Sequence, residues 1–157
     1  HLFSGTIADN IRYGKLDATD DEVRRAAELV SADRIAAKFS DGYNTHVGES
    51  GDRLSTGEKQ LVSFARALIA DPPIFVLDEA TSSIDTETEQ LIQNAISHVL
   101  RGRTSFIIAH RLSTIRHADM ILVVDKGKII ERGTHSELIA LGGHYADLYR
   151  AMEIEER

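Results

Sequence analysis

The chain has 157 residues, a formal charge of −7 and 42% hydrophobic residues, which fits one globular domain with a sizeable core. Its acidic balance argues against nonspecific nucleic-acid binding, which rests on Lys and Arg neutralising phosphates. The lack of cysteine excludes a disulfide, a thiolate nucleophile or a zinc–thiolate site. No apolar run approaches the roughly 20 residues that span a bilayer, no secretory signal is visible, and the sequence opens at His1 rather than Met, as a segment of a longer or processed polypeptide would.

The first half reads mainly as helix. Thr19 and Glu22 have capping-box spacing, and Val23, Ala26, Ala27 and Val30 then fall on one helical face. Ser31 can cap a second short helix running toward Phe39. Residues 40–53 are rich in Gly, Asp and Asn without a period and read as loop. Ser55 or Thr56 can cap a helix of about 14 residues with Leu61, Val62, Ala65, Leu68 and Ile69 on its buried face, which Asp71-Pro72-Pro73 stops.

The second half alternates strand and helix. Residues 74–78 read as a strand buried in a parallel sheet, because four apolar residues run without a break into Asp78 and Glu79. Asp85 can cap the next helix, whose apolar face is Leu91, Ile92, Ala95, Ile96, Val99 and Leu100. Residues 104–109 read as a second buried strand, a short helix follows His110, and residues 120–124 form a third strand. Lys126-Gly127 turns the chain so that residues 128–131 return antiparallel. Thr134 and Glu137 make another capping box ahead of Leu138, Ile139 and Leu141. Tyr145, Leu148, Tyr149 and Met152 suit a last helix, and residues 153–157 read as a frayed acidic tail. The pattern is α/β with a helical insertion ahead of the strands.

Three places carry chemistry. At the carboxyl end of a strand, Asp78 can hold Mg²⁺ and Glu79 can position or deprotonate a lytic water, although an isolated acid pair more often caps the following turn. Ser55 and Gly57 at a helix start offer a hydroxyl, exposed N–H groups and the positive end of a dipole, although Ser-x-Gly alone is more often an ordinary cap. His110, ending another strand, can contact a γ-phosphate, although a lone His is more often structural. A phosphate-binding loop of the form Gly, four residues, Gly-Lys-Ser/Thr is absent from this sequence: Gly14-Lys15 is followed by Leu16 and Gly127-Lys128 by Ile129, without the upstream Gly.

In this order and spacing, Leu54-Ser55-Thr56-Gly57-Glu58-Lys59-Gln60, residues 74–85 and His110 resemble the signature motif, the Walker B strand with D-loop and the switch histidine of ATP-binding cassette (ABC) transporter ATPases. Residues 1–7 with Asn10 and Ile11 look like the segment after the family's Q-loop. Residues 47–51 resemble the loop that exporters place near their coupling helices, and residues 127–135 resemble the terminal hairpin. The resemblance covers nearly the whole chain and favours the exporter branch over DNA-repair or chromosome-organising ATPases.

It implies a P-loop NTPase-like parallel sheet, with residues 1–70 as a helical signature subdomain and 71–157 as the rest of the ATPase core. The first core strands and the Walker A loop would lie ahead of His1, leaving unpaired sheet edges and exposed apolar surface. It implies ATP and Mg²⁺ as cofactors, with Asp78 in the metal's shell, Glu79 on the attacking water and His110 on the γ-phosphate. Ser83 and Asp85 would lie at the contact with a second cassette, and Leu54, Ser55, Thr56, Gly57 and Glu58 would face the nucleotide which that cassette holds. The implied partners are a second nucleotide-binding domain, identical or not, and the transmembrane domains of an exporter at the cytoplasmic face of the membrane, with no nucleic acid. A module that pairs with an intact cassette without catalysis is the alternative for the 157 residues alone. Two departures stand out. Thr56 replaces the usual Gly and Glu58 the usual Gln, and the latter places a negative charge beside a triphosphate unless it points at Lys59 or solvent.

Overall fold

Four helices of the computed structural model, which describes residues 1–78, 86–109 and 112–155, start on a Ser or Thr answered three residues later by a carboxylate. In chain order the elements are α1 (Ile7–Arg12), α2 (Asp20–Leu29), α3 (Asp33–Ala36), α4 (Thr56–Ala70), β1 (Ile74–Asp78), α5 (Thr86–Leu100), β2 (Thr104–Ile108), α6 (Leu112–Arg116), β3 (Ile121–Asp125), β4 (Lys128–Gly133), α7 (His135–Leu141) and α8 (His144–Glu155). They fall into two compact units, His1–Val76 with Ser82–Phe106, and Leu77–Thr81 with Ile107–Arg157.

In the first unit α4 is the hub and packs against α1, α2 and α5. Its buried residues Leu61, Val62, Phe64 and Ala65 recur at helical spacing, and Leu68 and Ile69, expected on the same face, are half-buried. Opposite them lie Ile7 and Ile11 of α1, Val23 and Ala27 of α2, and Ile92, Ala95, Ile96 and Val99 of α5, each at most 2% exposed except Ile96 at 4%. Helix α1 has no counterpart among the expected elements: Thr6 and Asp9 close a capping box on six residues, too few to show a period.

Ser31 does not cap the next helix. It ends α2 at φ 59°, its N–H donating to Glu28 O (3.1 Å) while Ala32 N–H donates to Ala27 O (2.8 Å), a Schellman closure with Ser in the position that glycine usually takes. Helix α3 is consequently four residues long and stops well short of Phe39. The expected loop at 40–53 contains two turns of 3₁₀ helix and buries Val47 and Thr45, and Thr6 bridges to His46.

Strands β1 and β2 are hydrogen-bonded neighbours joined through α5, the connection of a parallel pair. They are not buried on both faces as expected. Phe75 and Leu77 are buried, whereas Ile74, Val76, Phe106 and Ile108 are each more than half exposed, so among the described residues one face of each apolar strand has no cover. In the second unit β3 and β4 pair antiparallel with a bulge between Val123 and Val124, about a turn in which Lys126 and Gly127 both have positive φ. Val123, Leu138 and Tyr145 form its core, flanked by Ile115, Ile121 and Tyr149. The Glu131 carboxylate of β4 accepts from His144 N–H (2.6 Å) and Tyr145 N–H (2.9 Å), which caps α8 from outside the helix. The acidic tail is helical through Glu155 rather than frayed from 153. No helix among the described residues is long and apolar enough to cross a membrane.

Candidate functional site

The start of α4 presents two faces. Leu54 and Gly57 are buried, which seats the turn, while Ser55 and Thr56 are exposed. Ser55, extended at φ −64° and ψ 164°, is the cap: its Oγ accepts from Glu58 N–H (3.2 Å) and its carbonyl from Lys59 N–H (2.9 Å). The N–H groups of Thr56 and Gly57 precede the first hydrogen bond of the helix and stand at the positive end of a 15-residue dipole. A hydroxyl, two such N–H groups and a rigid buried base suit an anion.

Glu58 points neither at Lys59 nor freely into water. Its Oε2 accepts from Ser55 N–H (2.9 Å) and its Oε1 from Lys38 Nζ (2.6 Å). Burial pushes its carboxyl up, but the Lys38 hydrogen bond and the Ser55 N–H outweigh that and hold it below the ordinary Glu value. The charge that the sequence places beside the turn is therefore ionised and locally paired.

Farther along α4, Arg66 fixes the chain's first residues. It donates from Nε to Asn10 O (2.9 Å), from Nη2 to Asn10 Oδ1 (2.8 Å) and from Nη1 to His1 O (3.0 Å), and its guanidinium lies 5.0 Å from the Phe3 ring centroid. Asn10, 2% exposed, closes the loop: its amide donates to Phe3 O (2.9 Å) and Thr6 O (3.0 Å) while Phe3 N–H donates to its Oδ1 (2.8 Å).

Of the expected site residues, Leu54, Ser55, Thr56, Gly57 and Glu58 are brought together in this one turn. Asp78 belongs to the second unit, where the alternation of β1 leaves it exposed at the strand's carboxyl end. Glu79, Ser83, Asp85 and His110 lie outside the described residues. The sequence reading did not single out Lys38 or Arg66. Lys38 is 20 residues from Glu58 and carries no local signal, although Ser55-x-x-Glu58 itself has capping-box spacing.

The ABC transporter family pattern matches residues 1–82. The uncharacterized ABC transporter ATP-binding protein YknV of Bacillus subtilis is 56% identical over 150 residues, 96% of this chain and 25% of its own length. An ATP-dependent lipid A-core flippase of Legionella pneumophila is 49% identical over 97% of the chain and 26% of its own length. A fatty acid ABC transporter ATP-binding/permease protein of Mycobacterium tuberculosis is 55% identical over 96% and 24%. Among solved structures, a bacterial Atm1-family ABC exporter with ATP bound superposes with a TM-score of 0.85 at 45% identity, over 96% of this chain and 26% of that one. The chain thus spans about a quarter of the length of the relatives it matches. On a family match over more than half of the residues, and with this fold, the chain belongs to the ABC transporter family as part of an exporter-type nucleotide-binding domain.

Proposed function

We propose that the chain is part of an ATP-hydrolysing cassette that powers export through transmembrane domains at the cytoplasmic face of a membrane. The observation that carries this reading is the α4 start, where exposed Ser55 and Thr56 and the first-turn N–H groups stand on a buried base with Glu58 paired to Lys38. That donor set fits a terminal phosphate. ATP with Mg²⁺, when bound, supplies the phosphoanhydride whose cleavage releases the energy. The nucleotide facing this turn is held by a second cassette, identical or not, so that the turn completes a composite site. Asp78 would hold the metal, which would offset the phosphate charge, Glu79 would position or deprotonate the attacking water, and His110 would contact the γ-phosphate. Ser83 and Asp85 lie at the contact between cassettes.

The 157 residues alone contain no phosphate-binding loop, whose lysine and backbone nest supply most of the affinity, so they bind Mg·ATP negligibly. Titration calorimetry detecting micromolar binding to the isolated chain would contradict that. In the full-length polypeptide, Glu79→Gln leaves nucleotide binding in place and stalls hydrolysis. Turnover equal to wild type would remove Glu79 from its role.

A further inference from the structure

Resting on the reading that Ser55 and Gly57 face a nucleotide phosphate, we infer that Lys38 is a positioning residue for that site. Its ammonium holds the Glu58 carboxylate against the Ser55 N–H and cancels its charge, so that the turn accepts a polyphosphate. Three observations meet here. Glu58 is tied at both oxygens, to Lys38 Nζ (2.6 Å) and to Ser55 N–H (2.9 Å), the latter on the exposed residue that caps α4. Its side chain is 16% exposed whereas that of Lys38 is 62% exposed, so the acid is fixed beside the turn and the base reaches in from solvent. Lys38 stands just after α3 and is not part of α4, so it can leave without removing any of the helix's own hydrogen bonds.

The capping box does not require the negative charge. Glutamine at the same position makes the same bond to the Ser55 N–H. With Glu58 in place, however, an unpaired carboxylate next to Ser55 repels the phosphate, and in a partly desolvated turn the effect is large. Lys38 is therefore needed because residue 58 is Glu, which makes the two positions separable by mutation.

The test is steady-state Mg·ATP hydrolysis by the full-length polypeptide carrying Lys38→Ala, Lys38→Arg, Glu58→Gln or the Lys38→Ala/Glu58→Gln pair, at low and high salt. Lys38→Ala raises KM for ATP about tenfold while kcat changes by less than about twofold, and the effect shrinks as salt rises. Lys38→Arg restores KM. Glu58→Gln leaves KM at or slightly below the wild-type value, and adding Lys38→Ala to it raises KM far less than tenfold, because no carboxylate is left to neutralise. An unchanged KM in Lys38→Ala overturns the inference. So does an equal rise in the Glu58→Gln background, which would mark Lys38 as merely structural. A wild type without Mg·ATP turnover overturns the nucleotide reading and this inference with it, whereas a normal wild type with an indifferent Lys38 overturns the inference alone.

Discussion

Replacing Arg66 by Ala removes the contacts that tie α1 and the first residues to α4. Burial lowers the pKa of Arg66 without discharging it, so the bonds lost are charge-assisted. Asn10 O lies near the end of α1 and takes its hydrogen bond from Arg66 Nε (2.9 Å). Left without that partner, it costs about 1–3 kcal/mol. The bond to His1 O is exposed and contributes about 0.5 kcal/mol, and the stacking over Phe3 at 5.0 Å about 0.5–1 kcal/mol. Asn10 Oδ1 keeps its bond from Phe3 N–H (2.8 Å), so its loss is small. The sum is about 3 kcal/mol, which lowers the melting temperature of a domain this size by about 6–12 °C. Lysine keeps the charge but not the fork and recovers less than half. Thermal unfolding followed by far-UV circular dichroism measures both. A melting temperature for Arg66→Ala within about one degree of wild type, or Arg66→Lys matching wild type, would refute the account.

Ser31→Gly relieves a left-handed residue at φ 59° and stabilises by about 0.5–1 kcal/mol in urea unfolding, and no gain in midpoint would contradict the Schellman assignment. Glu131→Ala removes the carboxylate from His144 N–H and Tyr145 N–H and costs about 1–2 kcal/mol. Amide exchange should show faster exchange in the first turn of α8, and unchanged protection would refute the cap. Acid unfolding should follow the four capping-box carboxylates. Asp9 and Glu137 are held below their ordinary values chiefly by the N–H groups of Thr6 and Thr134, Glu22 is lowered to about 2 chiefly by Lys15, and Glu58 is lowered by Lys38 and Ser55 against burial. Depressed folded pKa values mean that their stabilisation is complete above the ordinary carboxylate pKa and is lost as pH falls through the folded values, toward about 2 for Glu22. Helicity that is insensitive to pH across that window would refute it.

Features specified by near neighbours were legible. The capping boxes of α2 and α7, the periodic faces of α4 and α5 and the Lys126-Gly127 hairpin all follow from residues within a turn or two of one another. Helix α1 escaped because Thr6 is answered by Asp9 rather than Glu or Gln, and six residues show no period. Ser31 misled because a serine between two helical stretches suits the start of one as well as the end of the other, and backbone dihedrals alone distinguish them. The apolar run of β1 reports the environment for which it is composed, which is cover on both faces, whereas exposure of Ile74 and Val76 reports the cover this chain provides. The Lys38–Glu58 pair bridges 20 residues, and nothing near either one forecasts it.

The candidate site depends on α4 doing two things with one surface. Leu61, Val62 and Ala65 hold the helix in the core, and Arg66 ties it to α1, so the position of its first turn is set by packing along its length. Within that turn, burial of Leu54 and Gly57 leaves Ser55 and Thr56 outward. The rigidity matters because the N–H groups of a helix start favour an anion only when they are held in one direction, and their field fades within the first turn. A fault at Arg66 should therefore weaken nucleotide engagement without touching the nucleotide, by loosening the body that aims the turn. A fault at Lys38 should leave the α4 packing in place and chiefly alter the charge presented. Comparing melting temperature with KM across the two substitutions separates these effects. Arg66→Ala lowers the first and raises the second together, whereas Lys38→Ala lowers the first only slightly and raises the second.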